Sequence, residues 1–330
     1  MIAALVEVRL IPKENVMETE MNEQPAIQPG VSNGAQTNTL PLESKVRPAV
    51  HSHVSPATCA NCGTVADGNG NGSAAPSYVF AIGRVEMRFP TLAVEKEFAQ
   101  ATGRTDTKGL TDRKVMHTVL SERANRYILR QVCWVLTIEG LETYILIPRD
   151  PADYDQLLEA VRPQPSPLDI DVVVGLRGPI APPEMCNGLM VPIVAFDQIY
   201  SFDRDALIKA LPGPKGAKGK DYETAAGEVF DRIMLLADNA GATDEHRALN
   251  YMAVRYPAVY NTVADALERD SSLTAVDVQP SSLSGTRNIV DVIFSFTNRK
   301  TDVVEKFFTR CDVTEEFPFL VTKMSPYLDR

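Results

Sequence analysis

Apolar and polar positions fall into a regular alternation only past residue 76. From Tyr78 to Phe89, the side chains of Tyr78, Phe80 and Ile82 share one face and Val79 and Ala81 the other, as in a strand buried on both sides. Beyond Gly83, Val85, Met87 and Phe89 alternate with Arg84, Glu86 and Arg88, which predicts a half-exposed continuation. Pro90 ends that strand, and Thr91 is placed to cap a helix that turns Val94 and Phe98 inward. After a loop at Gly103 to Gly109, a stripe through Val115, Val119, Leu120, Ala124, Tyr127 and Ile128 predicts one long helix from Thr111 to about Gln131. Val132 to Ile138 and Thr143 to Ile147 then read as strands joined by a hairpin turn at Glu139-Gly140.

A helix from Pro151 to Val161 is followed by the prolines 163, 165 and 167, which read as a linker. Strands are expected at Ile170 to Leu176, Leu189 to Phe196 and Ile199 to Phe202, with a turn-rich stretch from Gly178 to Gly188 between the first two. Asp203 caps a short helix through Leu211, and Pro212 to Lys220 forms a mobile basic loop. Ala226, Val229, Ile233 and Leu236 make the stripe of a helix from Tyr222 to Asn239, which Gly241 breaks. Thr243 caps the next helix, with His246 at its third position; Pro257 ends or kinks it, and Tyr260 to Leu267 continues. The remainder reads as strand: Leu273 to Gln279, Asn288 to Phe296, Lys306 to Asp312, and a short element at Leu320 to Lys323. Strands at both ends with helices between predict an α+β fold of mixed, mainly antiparallel sheets with helices packed against them.

Before this folded part, residues 1–75 hold no aromatic residue and are rich in Pro, Gly, Asn, Ser and Thr, so they cannot bury enough apolar surface to offset the entropy of ordering; a disordered tail is expected. Met1 to Pro12 has no basic start, and Glu7 and Arg9 interrupt its apolar run, which rejects a signal peptide. It reads equally as a short strand or as sequence ahead of a true start at Met17 or Met21. The net charge of -10 and a pI near 5.0 argue against nucleic acid as the main partner, and no apolar run is long enough to span a membrane. Five scattered cysteines form no disulfide framework; Cys133, Cys186 and Cys311 read as small hydrophobes, and a reducing, cytoplasmic setting follows.

The order of four stretches is informative. Pro76 to Gly83 (PSYVFAIG) comes first, then Asp244 to Tyr251 (DEHRALNY), Asn288 to Phe296 (NIVDVIFSF) and Arg310 to Thr314 (RCDVT). Together they resemble the C-terminal domain of the PatG cyanobactin maturation protease family, over roughly Cys59 to Arg330. After the tail over 1–75 with its Cys pair, the resemblance implies a PatG-like N-terminal subdomain over 76–165 and a PatG C-terminal-like subdomain over 166–330. It also makes Arg247 and Asn250 structural signature residues, buried and hydrogen-bonded. In that family the domain sits behind a subtilisin-like protease, and its own role is unknown. The function implied is a non-catalytic accessory or interaction domain in ribosomal-peptide maturation, with a precursor peptide or a partner maturation enzyme as its partner. A peptide-modifying enzyme with a site near Arg247, and a homodimerising structural module, stay open beside it.

Little in the residues themselves points to bond-making chemistry. No Ser start of subtilisin type is present, and the His117 and His246 imidazoles are the candidate bases outside the tail. The glycines and lysines of Gly213 to Lys220 do not have phosphate-loop spacing, and no dinucleotide fingerprint occurs. The best constellation is His51-x-His53-x5-Cys59-x2-Cys62, four ligands able to close a tetrahedral zinc site of structural kind. Against it stands their place in a tail expected to be unfolded, and structural zinc is the sole cofactor considered. A redox role for the Cys pair would need a strand and helix start around it, and neither is predicted.

Overall fold

The computed structural model describes residues 77–105, 108, 110–210, 220–234 and 239–328. The tail over 1–75, with its Cys pair, and the basic loop from Pro212 lie outside them, apart from Lys220 at the start of a helix.

β1 (Tyr78–Arg88) is the strand that both cores share. Val79, Ala81 and Val85 turn to one core and Phe80 and Ile82 to the other, as their alternation predicts. Burial on both faces suits a central strand, since each apolar face removes side chains from water at about 25 cal/mol per Å². β1 closes a five-stranded barrel in the order β1-β2-β3-β5-β4, with β2 (Cys133–Ile138), β3 (Leu141–Pro148), β4 (Asp169–Ile180) and β5 (Pro192–Asp203). All its pairings are antiparallel except β3 with β5. The β2–β3 hairpin turns at Glu139 and Gly140, both with positive φ (50° and 81°), the conformation a tight two-residue turn requires.

The expected linker at Pro163 to Pro167 falls inside this barrel. It connects α4 (Tyr154–Ala160) to β4, and β4 and β5 then pair with β1 and β3, so strands on both sides of the expected 165/166 boundary share one sheet. β5 runs on from Pro192 to Asp203 where two pieces are predicted, because its register shifts against β4 at Gly175 and absorbs the irregularity without breaking.

α1 (Leu92–Arg104), α2 (Asp112–Ser121), α3 (Arg126–Leu129) and α4 pack on the first core. The Thr91 cap forms as expected, its side chain accepting from Val94 N–H. The long helix predicted from Thr111 to Gln131 is broken. Glu122 adopts an extended conformation, and Asn125, in a 3₁₀ turn, gives its side-chain amide to the Val119 carbonyl at 3.0 Å. That local bond replaces the helical one, the competition for which Asn is known.

The second core lies between the barrel and a second antiparallel sheet of order β10-β8-β7-β6. It comprises β6 (Ser271–Pro280), β7 (Ile289–Asn298), β8 (Val304–Asp312) and β10 (Ser325–Pro326), with β9 (Phe319–Leu320) also on β8. α5 (Arg204–Ala210), α6 (Lys220–Met234), α7 (Asp244–Arg255) and α8 (Ala258–Glu268) supply its helical residues. The α+β fold of mainly antiparallel sheets with packed helices is therefore observed.

Candidate functional site

α7 organises the region where the two cores meet. Thr243 accepts from His246 N–H at 3.2 Å, and Asp244 and Glu245 occupy the first turn, where acids favour the helix dipole. Residues 247, 250, 251 and 255 are three, four and eight places apart, so they share one side of the helix. Arg247, only 3% exposed, is committed to backbone. It donates to the Val313 carbonyl at 2.7 Å, to the carbonyls of Glu315 and Glu316, and to Asp244, with its guanidinium 5.3 Å from the centre of the Tyr78 ring. Burial lowers its pKa, and Asp244 pushes back. Asn250 is fully buried, donates to the Phe80 carbonyl at 2.8 Å and forms a reciprocal amide pair with Asn239. Gly241 completes this joint. Its φ is +67°, a Cβ there would come within 2.3 Å of the Phe80 carbonyl oxygen, and its own carbonyl accepts from Phe80 N–H.

So the two signature residues fix two things: Asn250 fixes β1, and Arg247 fixes the segment from Val313 to Glu316. Together they hold that segment beside the barrel, where a cavity of about 380 Å³ is lined by Phe80, Tyr200, Tyr251, Arg255, Phe317 and Pro318. Phe80 meets Tyr251 edge-on at 6.2 Å, and the Arg255 guanidinium lies 4.9 Å from the centre of the Tyr200 ring. Burial raises the pKa of both phenols, with Arg255 pulling in the opposite direction, so both are neutral near pH 7. Phe317 of the lining is 46% exposed; Phe319, on β9 and 47% exposed, lies under the Arg287 guanidinium.

Beside the cavity, Glu316 accepts from Arg149 at 3.3 Å, and Arg149 also pairs with Asp197. Glu316 Oε1 is buried without a hydrogen-bond donor. Burial, then the Asp197 carboxyl, pushes the Glu316 pKa up to about 7, against Arg149 and Arg247. Two other concavities, of about 410 and 450 Å³, lie beside α6. Their arginines are engaged: Arg204 with Asp231 at 2.7 Å, and Arg84 with the carbonyls of Asp169 and Pro167.

The candidate zinc ligands His51, His53, Cys59 and Cys62 lie outside the described residues. Among the described residues there is no group of three or more His, Cys, Asp or Glu able to hold a metal. His117 is half-buried on α2, with Nδ1 3.4 Å from Ser121 Oγ one turn on, and His246 sits in the first turn of α7. Cys133 and Cys186, read from the sequence as separate hydrophobes, form a disulfide with Cα atoms 5.8 Å apart across 53 positions. Scattered spacing hid that pair, because β2 and the turn before β5 meet only in the folded barrel. Cys311 is buried as expected, and burial pushes its thiol pKa up to about 12, so it is no nucleophile. Sequence reasoning singled out Arg247 and Asn250 but missed Tyr251 and Arg255, although one and two turns of the same helix would have pointed to them.

Comparison with known proteins supports the resemblance. The family model described as PatG C-terminal matches residues 216–327. A solved structure titled "PatG Domain of Unknown Function" is similar with a TM-score of 0.63 and 21% identity, over 76% of this chain and 98% of that one. At that identity the likeness is one of fold. No curated protein matches, and no helix among the described residues is long and apolar enough to cross a membrane.

Proposed function

From this PatG-like fold and its cleft, we propose that the chain is a non-catalytic binding module of ribosomal-peptide maturation of the cyanobactin kind. It holds a precursor peptide or a partner maturation enzyme at the cleft between α7, β5 and the Val313–Pro318 segment. The observation that carries this reading is the composition of the cleft: aromatic walls, one arginine, and the exposed ring of Phe317. Aromatic residues and arginine are the residue types that dominate interface energetics. Arg247, the centre of the rival enzymatic reading, spends both Nη groups on backbone carbonyls and Asp244, which suits a positioning role. The family resemblance supports the pathway.

Fluorescence anisotropy with a dye-labelled precursor peptide, and with a labelled partner maturation enzyme, tests the reading. One of the two should bind saturably, and Phe317→Ala should weaken that binding several-fold, as expected for losing roughly 1 kcal/mol of apolar contact. Failure of both to bind, or binding indifferent to Phe317, contradicts it.

A further inference from the structure

We infer that the cleft recognises the free C-terminal carboxylate of a polypeptide, with Arg255 pairing to the carboxylate and the rings of Phe80, Tyr200 and Tyr251 enclosing the terminal side chain. The inference rests on the binding-module reading and names what that module reads.

The charge distribution is the first ground. Arg149, Arg162, Arg204, Arg247, Arg287 and Arg310 each pair with a carboxylate. Arg255 is half-buried and pairs with no acid among the described residues; its contacts are with the Tyr200 ring and hydroxyl. The cavity lining holds no acidic side chain. The nearby Glu316 carboxylate accepts from Arg149 rather than from Arg255. An anion entering the cleft therefore meets one cation and no wall of like charge. A guanidinium presents two parallel N–H groups at the spacing of carboxylate oxygens, and a half-dry aromatic setting strengthens that pair relative to water.

Size and surroundings select the source of the carboxylate. At ~30 Å³ per water, the 380 Å³ cavity has room for about a dozen waters, enough for one terminal residue and its carboxylate. Phe317, which lines the cavity, is 46% exposed, so its ring stands partly in solvent at the edge of the site. A small carboxylic acid would leave that ring bare, whereas an extended chain arriving carboxylate-first would cover it.

The test uses the full chain and two dye-labelled decapeptide pools randomised at every position, one ending in the free acid and one in the amide, with N-acetylphenylalanine as a small-acid competitor. The acid pool should be retained at least tenfold more strongly than the amide pool. Arg255→Gln should remove that difference with an unchanged melting temperature, and Arg255→Lys should restore part of it. Equal retention of both pools, still sensitive to Phe317→Ala, overturns carboxylate recognition and leaves the binding module standing. Competition by N-acetylphenylalanine at the concentration of an acid-ended peptide overturns the assignment to a polypeptide. Retention of neither pool overturns this inference, and the module reading is then decided by the anisotropy with the labelled partner enzyme.

Discussion

A buried carboxylate shows how single residues set this protein's response to pH. Asp171 on β4 accepts from Val85 N–H at 2.7 Å and from Ser201 Oγ at 2.6 Å, which ties it to β1 and β5 at once. Burial outweighs those bonds and pushes its pKa up to about 6 from 3.8. A folded-state pKa above the unfolded one means that the folded form binds the proton more tightly. The resulting stabilisation is fully present below about pH 4 and is lost as pH rises through about 6, at most about 3 kcal/mol. Asn is nearly the same shape, keeps an acceptor and offers Ser201 a donor. Asp171→Asn should therefore fold, and its melting temperature should gain several degrees on the parent between pH 4 and pH 6.5. Parallel melting curves across that range would show that Asp171 does not titrate in the fold. Glu316, raised to about 7, shifts in the same direction, so the seat of the Val313–Glu316 segment is firmest in mild acid.

Among the elements, α7 has the widest reach, since its side chains touch β1, the residues after β8 and the cleft. Replacing Arg247 by Ala strands the carbonyls of Val313, Glu315 and Glu316 without their donor in a partly buried place. Loss of a buried charged donor costs about 3 kcal/mol. Chemical denaturation of Arg247→Ala should show a loss of that order, with Arg247→Lys losing less; unchanged stability would mean that the segment is held by other contacts. Much of this element was legible beforehand. The cap at Thr243, the stop near Pro257 and the burial of Arg247 and Asn250 follow from local pattern and resemblance, because helix ends and faces are encoded within a few residues. The long helix predicted up to Gln131 failed for a reason outside its apolar stripe, the side chain of Asn125.

For the whole molecule, legibility ends where distant segments meet. β1 reads as buried on both faces from its sequence alone, yet nothing local announces that β3 pairs in parallel with β5 to close a barrel, or that Pro163 to Pro167 leads on into another strand of that barrel. The cleft has the same character: Phe80, Tyr200, Arg255 and Phe317 come from four distant stretches, and only the fold gathers them. Among the described residues β6 pairs with β7 alone, so its other edge is a second candidate surface for a polypeptide beside the cleft. Hydrogen–deuterium exchange with and without a saturating linear peptide separates them most directly. The account predicts new protection around Tyr200, Tyr251 to Arg255 and Phe317 to Val321, with β6 unchanged. Protection confined to β6, or none under conditions where binding is saturated, would contradict it.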